Sequence, residues 1–406
     1  MRRVFIPFVL LALGMFDFNL LIADWVQTNG PYGDLVLCLT ASGTNLFAGT
    51  DGTGVFLSTD YGTSWTAVDS GLTNSYVFAL VVSGTNLFAG THGGVFLSTN
   101  NGTSWMAVGP TTNTYVFALA VSGTNLFAGT WGGVFLSTNN GTRWTAVNSG
   151  MSSTNVSSLA VSGTNLFAGT YDAGVFLSTN NGTSWTAVDS GLTYAFNVDA
   201  LAVSGTNLFA GTERGGVFLT TNNATSWTAV NSGLAFNDLY VPAFAVSGTN
   251  LFAGTYGGGV FLSTNNGASW TAVNSGLTTP YVSALAVLGK NLFAGTDGVW
   301  ERPLAEMLMS VKDFQTNLPT QFNLRQNYPN PFNPSTNISF DIPSKAFVSL
   351  KIFDALGREV AVLASEELPT GSYTLRWNAG NMSSGIFFCR LQAGRFIKTK
   401  RLLLLK

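Results

Sequence analysis

A small set of residues that could transfer a proton falls in variable segments of the first 300 positions. They are the carboxylates Asp51, Asp172, Asp199, Glu213, Asp238 and Asp297, and His92, the one histidine of the chain. Two carboxyl groups placed across a glycosidic bond are enough to hydrolyse it, one protonating the leaving oxygen while the other activates water or attacks the sugar. His92 has the chemistry of a general base, although one loop histidine reads first as a solvated side chain. No spacing singles out two of the six carboxylates as a pair, so no catalytic residue is assigned. One histidine and two cysteines, Cys38 and Cys389, exclude a Cys/His zinc site, a disulfide framework and a thiol redox pair. No metal or cofactor is expected, and both thiols are expected to be free and buried.

Whatever these side chains do, a repeat must position them. The string Asn-Leu-Phe-Ala-Gly-Thr begins at Asn45, Asn86, Asn125, Asn165, Asn207, Asn250 and Asn291, at intervals of 39–43 residues. That is the period of a four-stranded propeller blade. Each unit reads as four short strands bounded by Gly or Asn turns; in the fourth unit they are predicted over 159–162, 165–170, 174–179 and 185–189. Strands of this length cannot cross an outer membrane, which takes about 9–11 residues. A solenoid would end in atypical capping repeats. Here the seventh unit stops after its third strand, at Gly298-Val299-Trp300, and the N-terminal segment 24–30 resembles the missing fourth. The expected fold is all-β: a seven-bladed β-propeller over 24–302, closed by its N-terminal strand. Phe and Leu fill the space between blades, and Ala-Gly-Thr is small enough to let neighbouring sheets approach.

The turn between the third and fourth strands has the sharpest local motif. It reads Ser-Thr-Asp-Tyr-Gly-Thr-Ser-Trp at 58–65 and recurs at 98–105, 137–144, 178–185, 220–227 and 263–270. The motif resembles the Asp-box, S-x-D-x-G-x-[ST]-W, of sialidases and of other Asp-box (BNR-like) propellers, including secreted glycosidases and sortilin-type receptors. Asp60 holds the Asp position, Asn100, Asn139, Asn180, Asn222 and Asn265 replace it elsewhere, and Ala224 replaces the Gly of the fifth turn. The expected role is structural. The Asp or Asn side chain caps backbone N–H groups, Gly supplies a positive φ, and Trp65, Trp105, Trp144, Trp185, Trp227 and Trp270 pack the turn onto the sheet. Most turns lack the carboxylates that calcium would need. A sialidase site would require clustered arginines to grip a substrate carboxylate. Between 24 and 300 the basic residues are Arg143, Arg214 and Lys290, with Arg143 inside a turn, so a sialidase site is excluded.

Antiparallel order places the two uniform turns of every unit at one face and the two variable loops at the other. The loops after the second strand present Asp51, His92, Trp131, Tyr171 with Asp172, Glu213 with Arg214, Tyr256 and Asp297. The loops between blades add Tyr76, Tyr115, Tyr194, Phe196, Asp199, Asp238, Tyr240 and Tyr281. Loops on a rigid scaffold are where sites are built, and aromatics with scattered carboxylates suit sugars or peptides. The ligand-binding candidates are therefore His92, Trp131, Tyr171, Asp172, Glu213, Arg214 and Tyr256. Drift of unconstrained loops after duplication would give the same variation. The 24–300 segment holds 11 acidic and three basic residues, a local charge of −8, which opposes non-specific binding to nucleic acid or anionic lipid. The expected function is non-catalytic binding of a glycan or protein. The alternative is a secreted glycoside hydrolase using two loop carboxylates.

The two ends of the chain read as an address. Arg2 and Arg3 precede a 13-residue apolar stretch at 4–16, and 1–23 reads as a secretory signal whose apolar run is too short for a membrane span. After a linker at 303–316 the repeats are gone, and 301–406 carries 13 basic and eight acidic residues. Strands predicted over 336–341, 348–353, 359–363, 372–377, 385–391 and 395–405 indicate a small immunoglobulin-like sandwich. The segments NYPNPFNPST, IFDALGREV, GSYTLRWNA, SGIFFCRLQAG and KTKRLLLLK resemble the type A C-terminal sorting domain of the type IX secretion system, with the domain at 317–406. The resemblance implies export from a Gram-negative bacterium with the secretion machinery as partner, leaving the protein secreted or attached to the outer-membrane surface. No nucleic-acid partner and no integral membrane segment after signal cleavage are expected, and the chain is expected to be a monomer.

Overall fold

A computed structural model describes residues 24–31, 34–109, 114–193, 197–235, 239–308, 321–368, 370–380 and 382–405. The predicted signal at 1–23 lies outside the described residues, as does 309–316 of the predicted linker, while 304–308 forms a short helical turn. The chain divides into two units, Met1–Leu308 and Met309–Lys406. Among the described residues no helix is long and apolar enough to cross a membrane.

The first unit is seven four-stranded antiparallel sheets in succession. The first sheet is Val36–Ser42, Asn45–Thr50, Val55–Ser58 and Thr66–Ala67. The last combines Ala284–Leu288, Asn291–Gly295 and Val299–Pro303 with Val26–Gln27 from the start of the chain, pairing Val26 with Glu301 and Gln27 with Trp300. Strand Val36–Ser42 lies against Ala284–Leu288, which completes the ring. Closure satisfies the edge that an open stack of sheets would expose. In the fourth blade the first strand starts at Val156, earlier than predicted, and the fourth is only Thr186–Ala187, so Trp185 stands outside it.

The repeated string explains the core. Its Phe (Phe47, Phe88, Phe127, Phe167, Phe209, Phe252, Phe293) is 0–1% exposed in every blade, and its Ala is fully buried. Phe47, Phe88, Phe127, Phe167, Phe209 and Phe293 each pack across a seam. Phe47 joins Leu87, Ala89 and Phe96 of the next blade, and Phe293 joins Leu46 and Ala48 across the closure. Each such burial stabilises by roughly 1.5–3 kcal/mol. The string's Gly permits the seam to be this tight: a Cβ on Gly129 would fall 2.7 Å from Cγ1 of Val156 in the following blade.

The tryptophans do more than pack their own turns. The indole N–H of Trp105 donates to the Val68 carbonyl of the preceding blade at 2.7 Å, and Trp144, Trp185, Trp227 and Trp270 donate to Val108, Val147, Val188 and Val230 in the same way. Trp25 binds the last blade to the sixth by donating to Val273 at 2.6 Å, a carbonyl that also accepts from the buried Arg302 guanidinium at 2.9 Å. Trp65 finds Thr28 Oγ1 at 3.1 Å where the other blades offer a carbonyl. Backbone bonds run alongside, as from Trp185 N–H to the Ser149 carbonyl at 2.8 Å. The Gly after that serine has to be Gly. Gly150 has φ +93, and a Cβ there would lie 2.3 Å from the Trp185 carbonyl oxygen.

Within each turn the hydrogen bonds are local. Asp60 Oδ1 accepts from Ser58 Oγ at 2.8 Å and from Ser64 N–H at 2.9 Å, while Ser58 Oγ accepts from Gly62 N–H at 2.8 Å. Asn100, Asn139, Asn180, Asn222 and Asn265 each accept from the backbone N–H four residues on in the same way. The residue before the Gly also has a positive φ (57 at Tyr61, 55 at Asn101). In the fifth turn Asn223 and Ala224 both sit there, at φ 54 and 63.

In the second unit, one sheet joins Asn323–Leu324, Ser335–Ile342 and Gly371–Asn378; the other runs in the order Glu359–Leu368, Ala346–Asp354, Gly385–Ala393, Phe396–Leu404. All six predicted strands are present. Ile338, Phe340, Leu350, Ile352, Trp377 and Leu402 pack between the sheets. Both cysteines are free, but only Cys389 is buried as expected. Cys38 is half-buried because it lines the ring axis; its thiol is nevertheless enclosed, donates weakly to the Val77 carbonyl at 3.6 Å, and is pushed up to about 12 by desolvation.

Two tests follow from the seams. Gly150→Ala meets backbone as well as an unfavourable φ and should cost about 3 kcal/mol or more, whereas Gly163→Ala, at φ +60 with nothing within 4 Å of its Cβ, should cost about 1 kcal/mol in urea melts. Trp25→Ala should cost about 3–5 kcal/mol, matching Trp185→Ala, because both remove the same latch; a loss below about 1 kcal/mol would show that the ring does not depend on its closure.

Candidate functional site

The variable face is organised by one feature of the first strand. In blades one to five the ladder between the first two strands shifts register just after the leading valine, between Val116 and Ala118 for example. A bulge leaves one residue unpaired and re-aims its side chain. The position so displaced is Leu37, Phe78, Phe117, Ser157 or Asp199, and its equivalents in the last two blades are Pro242 and Ser283. All seven line a single cavity of about 780 Å³ and also a smaller one of about 250 Å³ beneath it, formed by the innermost strands. A cavity lined by the same position of every blade lies on the ring axis.

Two further positions build the rim. The buried threonine that ends the second strand holds the loop after it through its hydroxyl, as from Thr170 Oγ1 to the Gly174 carbonyl at 2.9 Å. The next residue then bonds by its backbone to the residue preceding the leading valine. His92 pairs with Tyr76, Tyr171 with Asn155, Glu213 with Asn197, and Tyr256 with Tyr240. From these rim positions Leu35, Trp131, Asn155, Tyr171, Tyr240 and Tyr256 reach the cavity wall.

Of the seven ligand-binding candidates, Trp131, Tyr171 and Tyr256 line the cavity; they are 54%, 53% and 40% exposed. His92, Asp172, Glu213 and Arg214 do not. His92 packs tilted against Tyr115 with centroids 3.7 Å apart, and Tyr115 packs tilted against Trp131 at 4.2 Å, so the histidine continues an aromatic row outside the cavity wall. Asp172 accepts from Ser153 Oγ at 2.5 Å. Glu213 accepts from Asn197 Nδ2 and lies 3.7 Å from the solvent-exposed Arg214 guanidinium. Asp51 and Asp297 also lie outside the wall, Asp51 paired through its backbone with Tyr76 and Asp297 accepting from Thr296 Oγ1 at 2.9 Å. Tyr194, Phe196 and Asp238 lie outside the described residues. Among the described residues no three His, Cys, Asp or Glu side chains come together as a metal site would require.

Reading the loops alone missed Leu37, Phe78, Phe117, Ser157, Pro242 and Ser283. The signal was available, since the residue between Val and Ala at the head of the first strand changes from repeat to repeat while its neighbours barely do. The cavity is two-sided as a result. Blades one to three contribute Leu35, Leu37, Phe78, Phe117 and Trp131, whereas blades four to seven contribute Asn155, Ser157, Asp199, Ser283, three tyrosines and one apolar residue, Pro242.

Asp199 is the one carboxylate in the described wall, and it is uncomfortable there. Its Oδ2 and the Ser283 hydroxyl are buried with no hydrogen-bond partner among the described residues. Desolvation, and then the like charge of Glu213, push the carboxyl from its ordinary 3.8 up to about 6. Burial and the neighbouring Asp199 push the Tyr240 phenol up as well.

A raised carboxyl favours the folded state fully below the unfolded value of 3.8, loses that contribution as pH rises toward 6, and leaves a penalty above it. Asp199→Asn should therefore stabilise the protein by about 2–3 kcal/mol at pH 8 and leave it unchanged at pH 3.5, as read by chemical denaturation. An equal effect at both pH values would contradict the assigned burial of charge.

Residues 326–405 match the secretion system C-terminal sorting domain. The chain is thus exported cargo of the type IX system, secreted or held at the cell surface. Solved structures similar to it include PorZ, a surface component of the type IX secretion system of Porphyromonas gingivalis, at 19% identity and TM-score 0.53 over 91% of this chain and 59% of that one. An ancestral GH74 enzyme aligns at 18% identity and TM-score 0.57, over 94% of this chain and 63% of that one. YCF48 of Cyanidioschyzon merolae aligns at 15% identity and TM-score 0.55, over 69% of this chain and 99% of that one. These likenesses are of fold, and the chain spans less than two thirds of PorZ and of the GH74 enzyme. No curated protein matches the chain in sequence.

Proposed function

We propose that the exported protein is a binding propeller that holds a glycan or protein ligand in its axial mouth without turning it over. The observation that supports this reading is that, among the described residues, the cavity wall has one carboxylate, Asp199, beside aromatics, aliphatics, hydroxyls and one amide. Hydrolysis by either stereochemical route takes two carboxyl groups facing one bond. Exposed Trp131, Tyr171 and Tyr256 offer flat apolar faces with polar tips, the groups that carry most binding energy at interfaces. We read the third-to-fourth-strand turns as Asp-boxes that serve the scaffold. The same reading assigns 1–23 to a signal peptide, 24–302 to the propeller, 303–316 to a linker and 317–406 to the sorting domain, in a monomer.

One observation favours the hydrolase alternative. A carboxyl held near 6 is suited to general acid catalysis, and Glu213 is close enough to raise it. The two readings separate on one experiment, in which the propeller is offered a glycan array and a panel of surface proteins, with ligand retention and the release of reducing ends both measured. Retention without release is expected, with Trp131→Ala weakening it about tenfold or more. Release of reducing ends that Asp199→Asn abolishes would overturn the binding reading.

A further inference from the structure

The geometry points to a more specific occupant, and this step rests on the binding reading above: the axial mouth takes a basic side chain, lysine or arginine, projecting from a protein partner, with its charged end at Asp199 and its stem along the Leu37–Phe78–Phe117 arc. Three observations converge. Asp199 lines both the mouth and the lower cavity, and one of its carboxylate oxygens is shut off from solvent with no hydrogen-bond partner among the described residues, so a donor that turns this side chain toward the cavity satisfies it. Among the described residues the charged neighbour that bears on it is Glu213, of its own sign, while Arg214 is 82% exposed at the side chain and leans on Glu213 instead. The opposite wall has no polar side-chain atoms at Leu37, Phe78 and Phe117.

A neutral sugar hydroxyl could occupy the orphaned oxygen but would leave the negative charge uncompensated. An ammonium or guanidinium supplies both the missing donors and the missing charge, and charge-assisted hydrogen bonds of this kind are about twice as strong as neutral ones. The ring faces of Trp131, Tyr171 and Tyr256 add attraction for a cation held among them. Long basic side chains bury their methylene stems on apolar surface while the head seeks a polar partner, which is the division of the wall seen here. At about 780 Å³ the cavity admits such a side chain together with some of the backbone that bears it. The acidic balance of the 24–300 segment, 11 residues against three basic, favours approach of a basic partner.

The test uses the full chain and calorimetric titration with capped pentapeptides, Gly-Gly-Lys-Gly-Gly, its arginine version and its Nε-acetyl-lysine version, beside a neutral oligosaccharide. The lysine and arginine peptides should bind, and acetylation should weaken binding about tenfold or more. Asp199→Asn should weaken the lysine peptide by a similar factor and leave the acetylated peptide unchanged, while Trp131→Ala should weaken all three. Equal binding of the acetylated and free lysine peptides, or indifference of the lysine peptide to Asp199→Asn, would overturn the inference. Failure of every peptide at millimolar concentration would also overturn it. If the oligosaccharide alone binds, and Trp131→Ala removes it, the binding reading stands and the cation inference falls. If a glycan is instead cleaved, both fall.

Discussion

At six of the seven seams a tryptophan indole N–H reaches back to a main-chain carbonyl of the preceding blade, and at Trp185 the glycine Gly150 of that blade leaves room for the tryptophan's own backbone to follow. A four-stranded sheet of this length has too little apolar surface to stand alone, so each blade is stable only through its neighbours. The latch fixes the distance and angle of every seam, and the seam then fixes what can be buried in it. Phe167 of one blade reaches the Leu208 and Phe218 side chains of the next because the sheets are held that close. A ring assembled this way has no weak end, provided that the last seam is made like the others. Trp25 and Arg302 bind the last blade to the sixth, converging on the Val273 carbonyl, and Trp65 of the first blade makes the closing seam on Thr28 Oγ1.

This dependence accounts for the uneven freedom of the repeat. Residues at a seam or in a third-to-fourth-strand turn are tied to an adjacent blade or to the turn's own hydrogen-bond net, so they stay nearly constant across seven copies. The fifth turn shows how much slack there is: Ala224 occupies a left-handed conformation where the other turns have Gly, and its N–H still reaches Thr220 Oγ1 at 3.1 Å. At the other face, the bulged residue and its two rim neighbours lie outside the Phe–Leu packing of the seam, and where they touch the next blade they do so in different ways, Ser157 Oγ donating to the Val198 carbonyl at 2.8 Å and Phe78 packing against Phe117. They can change from blade to blade without disturbing the ring, and they are the residues that enclose the axial cavity.

The cavity also shows where stability has been given up. A core built from Val, Phe, Leu and Ala would close over the axis at no electrostatic cost, yet Asp199 is kept there, desolvated, beside a like charge. Buried carboxylates held in this way cluster at sites that contact other molecules. The sorting domain stands apart from this economy. It has its own sandwich core, and its NPFNP stretch is anchored by Phe332, whose backbone bonds to Leu403 and Leu405 of the terminal strand region.

Much of the fold was legible in the residues because it repeats. Seven copies of one string, a third strand with no fourth to follow it and a stray fourth strand at the start are statements about local periodicity and count, and they suffice for the number of blades, the strand order and the closure. The sandwich strands were readable for the same reason, through alternation and turn residues. Two things were not. The direction of the tryptophans is one, because an indole beside a turn can pack on its own sheet or on its neighbour's, and only the spacing between sheets decides. The make-up of the mouth is the other. Trp131, Tyr171 and Tyr256 converge on the axis while His92, Asp172, Glu213 and Arg214, equally variable and equally suited to binding, do not. Loop variability marks which residues are free to differ; convergence is set by a bulge that turns one strand position inward and by the curvature that brings seven such positions round a single axis.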